Sequence, residues 1–372
     1  MPLNIPSRFF SADSHVYEPS NLWQTRMEKR FRDRAPHTES RPEGDYFCID
    51  GLAPNPTAGL LGAAINDKMT GTGEVTGPMR RDAEIRPGAW DPLARLVDQD
   101  LDHVYAEVLY PGVSLFFNVI PDAEYQRACM RVYNDWISEF CAVAPKRLVG
   151  SAMLPTRGPV EWAVAEAERV AGLGLRSVMV PSDLPYHDPQ YQPLWAALQD
   201  LDLLLVAHPG SESQATPLQK FGSAPPISVV TNTKLVGMAH ALTLLLGSAV
   251  PQHYPKLRFI FVEGGIGWIA AVLRLMDHWW EDHHRWLEPR LEEKPSFYFH
   301  RQVWATFEDD RAGLLTREFL NVDHLMWGSD YPHTEGTFPC SQQQIAKDFG
   351  DLSQDEVRKI VVDNAAQLYG PI

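Results

Sequence analysis

The amino-acid sequence predicts an α/β fold in which eight parallel strands and their helices close into a (β/α)8 barrel, the TIM-barrel architecture. Short apolar runs alternate with longer amphipathic stretches along most of the 372 residues, a pattern typical of α/β proteins. The runs are continuously apolar, so both faces of each strand are expected to be buried, as in a parallel sheet. The first run leads into DSHVYEP, which has no glycine, whereas open nucleotide-binding sheets carry a glycine-rich loop there. The closed barrel is therefore favoured.

The eight strands are predicted in order from the apolar runs and from the helical segments between them. A long helix is expected from about Asp122 to Val143, and VEWAVAEAERVAGLG has helical apolar spacing that ends at glycines. The predicted strand segments are 9–16, 102–111, 147–155, 175–182, 202–210, 257–265, 303–310 and 324–332.

One region, from His37 to about Gly88, does not follow the strand–helix repeat. It is rich in proline, glycine and threonine, and it is too weakly patterned for a second domain. We expect a loop that extends over the barrel mouth and shapes a substrate pocket, with a disordered surface loop as the alternative. The whole chain, 1–372, is therefore expected to form one barrel domain.

Composition excludes several classes of partner. The net charge of −15 should repel phosphate backbones, so nucleic acid is not an expected partner. No run approaches the roughly 20 consecutive apolar residues of a membrane span, and MPLNIPSRFF lacks the features of a signal peptide. Four cysteines without CxxC spacing are typical of reduced packing residues, which predicts a cytoplasmic protein. A small-molecule substrate is the expected partner.

Polar residues stand at the carboxyl ends of four predicted strands: Asp13 and His15, His208, Glu263, and Asp330. In a barrel these ends converge on one site. Asp13 and His15 are two residues apart, so both side chains point to the same face of their strand. Each residue alone has a structural explanation, such as an Asx turn or a hydrogen-bonded core histidine. Three carboxylates buried together without a cation would cost several kcal/mol per charge, so the set predicts a divalent metal ion.

Six further residues are candidates for substrate contact: Trp304, Phe307, His333, Phe338, Arg80 and Arg81. The aromatic residues stand near the predicted mouth and indicate a substrate with an apolar or aromatic body, although packing explains each of them equally well. The two arginines could hold a substrate carboxylate, and a solvated loop pair is the alternative.

Five segments resemble a known family, the amidohydrolase-related metal-dependent hydrolases, which include the aminocarboxymuconate-semialdehyde decarboxylase group. The segments are DSHVYEP, AHPG, RFIFVEGGIGW, MWGSDYPH and NAAQLYG. The resemblance extends from Asp13 to Gly370 and implies a distorted (β/α)8 barrel. It also implies a divalent metal held by Asp13 and His15 of the first strand, His208 of the fifth and Asp330 of the eighth.

Two departures from the family pattern bear on the metal. The first-strand pair is Asp-x-His where His-x-His is common, and Glu263 stands where the family often has a histidine. Zinc is the expected ion, and the added carboxylates make manganese or iron alternatives. Glu263 is a further candidate ligand, which leaves one or two ions open. VMVPSDLP carries no lysine at the end of the fourth strand, so a carbamylated-lysine bridge is not expected.

Hydrolysis of an ester, thioester, amide or C–C bond is the first expectation for activity. A bound metal lowers the pKa of water from near 16 toward about 7. The resemblance implies that Asp330 moves the proton, at a catalytic centre that also contains His208 and Glu263. Glu263 makes the pocket less favourable for anions, which favours a neutral substrate. Non-oxidative decarboxylation of an aromatic or muconate-type acid is the alternative, and a catalytically inactive small-molecule binding protein is the third.

Assembly is expected to be a homodimer or a higher homo-oligomer. Relatives in the resembled family commonly assemble in this way, and DHWWEDHHRW (277–286) offers a tryptophan-rich surface suited to a subunit contact. Packing of these tryptophans within the core is the alternative.

Overall fold

Eight parallel strands form the barrel in a computed structural model that describes residues 5–56, 81–215 and 225–370. Neighbouring strands of the barrel follow one another in chain order. The first and last strands meet, because Asp330 N donates to Asp13 O at 2.9 Å and His15 N donates to Tyr331 O at 2.6 Å. The eight strands are β1 (Phe9–His15), β5 (Val104–Tyr110), β6 (Leu148–Met153), β7 (Ser177–Met179), β8 (Leu204–Ala207), β9 (Phe259–Phe261), β10 (Val303–Phe307) and β11 (Leu325–Trp327). Each lies within its predicted segment, so the barrel prediction is confirmed.

Helices connect the strands around the outside of the barrel. The long predicted helix is present as α3 (Ala123–Ala142). Asp122 caps its N-terminus, because the Asp122 side chain accepts a hydrogen bond from Tyr125 N. The α-helices are α1 (Leu22–Arg26), α2 (Pro92–Leu101), α3 (Ala123–Ala142), α4 (Val160–Gly172), α5 (Gln192–Asp200), α6 (Pro226–Thr231), α7 (Met238–Gly247), α8 (Val250–His253), α9 (Ile269–His283), α10 (Pro295–Gln302), α11 (Arg311–Leu315), α12 (Ser341–Asp348), α13 (Gln354–Arg358) and α14 (Asn364–Tyr369). Segments Asn232–Gly237 and Lys359–Asp363 are π-helical.

The strands bury both faces, and their two sets of side chains enter different layers. Phe9 packs in the large cluster between barrel and helices, whereas Phe10 and Ala12 belong to the smaller cluster inside the barrel. Alternate residues of a strand point to opposite faces, but the pairing of β1 with its neighbour shifts register between Ser11 and Ser14. This irregularity lets Asp13, which follows the interior residue Ala12, reach the same side of the barrel. The apolar side chains inside the barrel therefore lie directly beneath the carboxyl ends of the strands.

The region 37–88 is an insertion after the first strand, as predicted, but the part that the structure describes contains a small sheet where a loop was expected, and its position over the barrel mouth stays a prediction. Strands β2 (His37–Arg41), β3 (Gly44–Cys48) and β4 (Asn55–Pro56) form an antiparallel sheet, and residues 57–80 lie outside the described ranges. Phe47 packs against Trp23, with ring centroids 5.4 Å apart. Trp23 lies in the connection that leaves β1, so burial of an aromatic face, together with strand pairing, outweighs the weak local pattern.

One helical stretch in the described part, Ile227–Gly247, is long and apolar enough to cross a membrane by length and composition, and 28% of its most apolar window is buried. It comprises most of α6, the π-helical turn and α7, and its inner face buries Met238, Ala241, Leu242 and Leu245 against the barrel.

Candidate metal centre

A buried cluster of imidazoles and carboxylates lies at the carboxyl ends of the strands. One potential ligand atom each from Asp13, His15, His208 and Glu263 lies within 4.8 Å of the others. A second group, which shares His15 and Glu263, adds Asp330 and His333 under the same limit. The structure thus brings together the five residues selected from the strand ends, and it places His333 beside them.

The barrel geometry explains how residues so far apart in sequence meet. Asp13 and His15 occupy alternate positions at the end of β1. His208 directly follows β8, while Glu263 and Asp330 stand two and three residues after the ends of β9 and β11. The backbone φ angles of Glu263 and Asp330 are 58° and 55°, in the left-handed region that non-glycine residues rarely occupy. Such strained positions recur at functional sites, where the surrounding structure enforces them.

Four buried side-chain atoms in this cluster have no hydrogen-bond partner among the described residues. They are Asp13 Oδ1, His15 Nε2, His208 Nε2 and Asp330 Oδ2. Buried polar atoms are nearly always satisfied in native proteins, and these four belong to the two overlapping groups of potential ligands. These donors fit a divalent metal.

The other ring nitrogens of the two histidines are occupied in the way that metal-ligating imidazoles require. His15 Nδ1 lies 3.0 Å from the carbonyl oxygen of Pro111, and His208 Nδ1 lies 2.8 Å from that of Pro209. A proton on Nδ1 that is donated to the carbonyl leaves Nε2 with its lone pair. The second nitrogen of each ring is therefore set up to bind the ion.

The charges in the cluster also favour a cation. Burial, followed by the negative charges of Asp330 and Glu263, raises the pKa of Asp13 well above its usual value. Burial and the charges of Glu308 and Glu263 do the same for the pKa of Asp330. Burial, with a smaller effect of nearby imidazoles, lowers the pKa of His15 to about 3, so this ring is neutral and able to bind a metal.

Glu263 joins both histidines to a lysine. Its Oε2 lies 3.0 Å from His208 Nε2 and 3.3 Å from His15 Nε2, and its Oε1 lies 2.7 Å from Lys234 Nζ. Burial alone would raise the pKa of Glu263, but the charges of Lys234 and His208 outweigh it and hold the pKa well below its usual range. Thr306 Oγ1 accepts a hydrogen bond from Glu263 N at 2.9 Å, which anchors the strained backbone.

Asp330 is oriented by the histidine three residues after it. His333 Nδ1 is hydrogen-bonded to Asp330 Oδ1, and the His333 ring centroid lies 4.3 Å from that of His15. The same Oδ1 lies 3.6 Å from His15 Nε2, and Oδ2 lies 3.8 Å from Lys234 Nζ. The Asp330 carboxyl group is therefore held in one orientation, as proton transfer at a defined atom requires.

Three charged residues at the site were missed by the sequence analysis: Lys234, Glu308 and Glu335. Lys234 Nζ lies 3.6 Å from Glu308 Oε1 and 3.5 Å from Glu335 Oε1. Glu308 directly follows β10, so the same strand-end rule that selected Asp330 could have found it. Lys234 lies within a helical stretch, and no sequence pattern distinguishes it from a solvated lysine.

Several predicted substrate contacts lie elsewhere. Trp304 is one interior layer deeper than Thr306, in the apolar cluster inside the barrel, and its ring stacks 3.8 Å from His324. Phe307 faces the outer layer and stacks 5.8 Å from Phe349. For both residues the prediction overlooked strand alternation, which turns one side chain away from the mouth and sets the other below it.

The remaining candidates also have partners of their own. Phe338 packs 4.8 Å from Tyr331 in a small separate cluster. Arg81 Nη1 lies 2.9 Å from Asp45 Oδ1, so its charge is used within the small antiparallel sheet and it is not placed at the metal cluster. Arg80 lies outside the described residues.

A cavity of about 440 Å³ adjoins the cluster. Lys234, Glu263, Glu308 and Glu335 line it on the polar side, with Val230 and Leu235 among the apolar lining residues. The cavity thus exposes the side of Glu263 that faces Lys234 to solvent.

Comparisons with known proteins show which family the chain resembles. The profile of the family described as amidohydrolase matches residues 68–370. The gamma-resorcylate decarboxylase of Rhodococcus jostii (strain RHA1) is 29% identical over 316 residues, which cover 76% of this chain and 92% of the relative. The corresponding enzyme of Rhizobium sp. (strain MTP-10005) is 28% identical over 234 residues, with 57% of this chain and 68% of the relative covered.

Solved structures support the same fold. An amidohydrolase from Mycobacterium avium subsp. paratuberculosis K-10 superposes with a TM-score of 0.79 at 20% identity, covering 98% of this chain and 99% of its own. The 5-carboxyvanillate decarboxylase of Novosphingobium aromaticivorans DSM 12444, solved as a mutant with manganese and 3-methoxy-4-hydroxy-5-nitrobenzoic acid, gives 0.68 at 18% identity and covers 97% of each chain. Since the profile spans most of the sequence, the chain belongs to the amidohydrolase family.

Proposed function

We propose that this protein is a metal-dependent, non-oxidative decarboxylase of a hydroxylated aromatic acid. The observation that carries the proposal is the 29% identity with the Rhodococcus jostii gamma-resorcylate decarboxylase along 92% of that enzyme. The relatives thus favour decarboxylation, the alternative in the sequence analysis, over hydrolysis, its first expectation.

Charge within the site supports the same choice. Glu263 was expected to make the pocket unfavourable for anions, but Lys234 Nζ lies 2.7 Å from its Oε1. This ion pair offsets the charge of Glu263 and weakens the reason for preferring a neutral substrate.

Manganese is the ion we propose, in place of zinc. Asp13, His15 and His208 would hold it, together with Asp330. A donor set that mixes imidazoles with carboxylates suits a harder ion than a three-histidine set does, and solved neighbours from Novosphingobium and Polaromonas carry bound manganese. A bound divalent ion supplies positive charge that holds the acidic oxygens of a substrate and stabilises charge that develops on them.

Asp330 is the proposed proton donor. Its buried carboxyl group, which His333 orients, would deliver a proton to the substrate. The proton adds to the ring carbon that bears the carboxylate, with the electron pair supplied by the ring and its hydroxyl oxygen. The C–C bond then breaks, carbon dioxide leaves, and the bonding pair restores the aromatic ring. Asp330 regains a proton from solvent, while His333 keeps the carboxyl group oriented through its hydrogen bond.

The test is a product assay on manganese-loaded protein with a panel of mono- and dihydroxybenzoic acids and of aromatic esters and amides. We expect carbon dioxide release from at least one acid, with one deuteron on the vacated ring carbon in D₂O. Ester or amide cleavage without carbon dioxide release would support the hydrolase instead. Binding of acids without turnover of any compound would support the inactive binding protein.

Three predictions from the sequence stay predictions. They are the single-domain organisation of 1–372, a homodimer or higher oligomer, and a cytoplasmic location.

A further inference from the structure

Lys234 is the basic residue that reaches the acidic wall of the site. Its Nζ lies within 4 Å of carboxylate oxygens from Glu263, Glu308, Asp330 and Glu335. In the ranges 5–56, 81–215 and 225–370, no other lysine or arginine forms an ion pair with any of these four. Burial alone would lower the pKa of Lys234, but the carboxylates outweigh it and raise the pKa, so the side chain is a cation throughout the neutral range.

The backbone around Lys234 explains how a helical lysine reaches the barrel interior. It lies in the π-helical turn Asn232–Gly237 between α6 and α7. An extra residue in a turn rotates the side chains that follow relative to a regular α-helix, and such turns recur at functional sites. The next two residues, Leu235 and Val236, remain exposed at 43% and 51%, whereas Lys234 points toward the carboxylates with a side chain that is 23% exposed.

The contacts of Glu263 divide its two oxygens between different partners. Oε1 faces Lys234 Nζ at 2.7 Å, and Oε2 faces the Nε2 atoms of His208 and His15 at 3.0 Å and 3.3 Å. A charge-assisted hydrogen bond to one oxygen fixes the rotation of a carboxylate about its terminal bond. The second oxygen, Oε2, is then held toward the Nε2 atoms of His208 and His15.

We propose that Lys234 is a positioning residue that makes Glu263 a metal ligand by holding its Oε1 and turning its Oε2 into the cluster. The inference rests on the proposed metal centre and goes beyond it, because Lys234 itself never touches the ion. Loss of a side chain that orients a metal ligand commonly lowers metal affinity or activity by about 10- to 100-fold.

The direction of the effect separates this role from simple charge compensation. If Lys234 only supplied a positive charge near the ion, its removal would strengthen the binding of a divalent cation, because like charges repel. If Lys234 orients Glu263, its removal weakens that binding.

The experiment measures Co²⁺ affinity and the visible absorption spectrum of the Co²⁺ protein for a double-mutant cycle of Lys234→Met and Glu263→Gln. Lys234→Met should bind Co²⁺ about 10- to 100-fold more weakly, and its spectrum should change in the same sense as that of Glu263→Gln. In the Glu263→Gln background, Lys234→Met should neither weaken binding nor change the spectrum further. Lys234→Arg should recover much of the affinity, and Lys256→Met, which removes an exposed lysine, should behave as the wild type.

Unchanged or tighter Co²⁺ binding by a folded Lys234→Met protein would overturn the inference, as would equal weakening in both backgrounds. If Lys234→Met does not fold, Lys234→Arg provides the test. A folded Lys234→Arg protein whose Co²⁺ spectrum differs from that of the wild type would contradict the proposed orientation. None of these readouts needs turnover, so a protein that passes them but releases no carbon dioxide would refute the proposed function alone.

Discussion

Arg95 Nη1 donates a 2.8 Å hydrogen bond to the carbonyl oxygen of His15. The same guanidinium pairs with Glu107 through contacts of 2.5 Å and 3.0 Å, and it lies 4.2 Å from the ring centroid of Tyr331. Tyr331 follows Asp330 in sequence. A single buried cation therefore connects the end of β1 to β5 and to the segment that carries Asp330, and it fixes the backbone of His15.

Replacement of Arg95 by methionine should destabilise the protein strongly, because it leaves the buried Glu107 carboxylate without its cation. We expect a loss of about 3–5 kcal/mol in the free energy of unfolding, measured by urea denaturation. Arg95→Met combined with Glu107→Leu should recover part of that loss, since a buried ion pair can be exchanged for apolar residues at little cost. A single mutant within about 1 kcal/mol of wild type would show that the pair is not essential.

Replacement of Asp330 by asparagine should abolish proton transfer while the fold is kept. Loss of a general acid typically lowers kcat by about 10²- to 10⁴-fold, measured as carbon dioxide release at saturating substrate and metal. His333→Asn should lower kcat less, because it removes only the group that orients Asp330. Retention of most of kcat by a metal-loaded Asp330→Asn protein would remove Asp330 from the proposed mechanism.

The metal-free protein should gain stability when Asp13 becomes asparagine, increasingly so at higher pH. Burial and nearby carboxylates raise the pKa of Asp13 in the folded state, whereas its pKa in the unfolded state is about 4. At pH values between these two pKa values, the folded state binds more protons than the unfolded state. Stability of the wild type is then lost as pH rises through that window. Asparagine does not titrate and escapes the loss.

Urea denaturation of both proteins in the presence of a chelator, at several pH values from 5 to 8, measures this difference. The advantage of Asp13→Asn should shrink as pH falls and should reverse when Mn²⁺ is present, because the ion stabilises the carboxylate. A difference that does not change with pH would argue against a buried Asp13 that takes up a proton on folding.

The parts of the site that strands carry could be predicted from sequence, because parallel strands place their carboxyl ends together. Asp13, His15 and Asp330 each stand where an apolar run ends, and the structure brings them together. Lys234 could not be found in this way. Its inward direction depends on a π-helical turn, and local residue preferences do not distinguish that turn from ordinary helix.

Two of the predicted aromatic contacts, Trp304 and Phe307, lie away from the cluster for a geometric reason. Both residues are close in sequence to the predicted mouth, but strand alternation decides which way each side chain points. Trp304 shares the interior face of Thr306 but lies two residues earlier in β10, and Phe307 points to the opposite face. The small sheet that contains Phe47 was missed because its strands are short and their stability depends on packing against Trp23.

An anomalous-scattering map of crystals of the manganese-loaded protein tests the central claim most directly. The account predicts a manganese peak bonded to Asp13, to Nε2 of His15 and His208, to Asp330 and, by the inference on Lys234, to Oε2 of Glu263. About one equivalent should be retained per chain after dialysis. Manganese bound elsewhere with this cluster empty, or protein that retains none of the ion at a saturating concentration, would contradict the account.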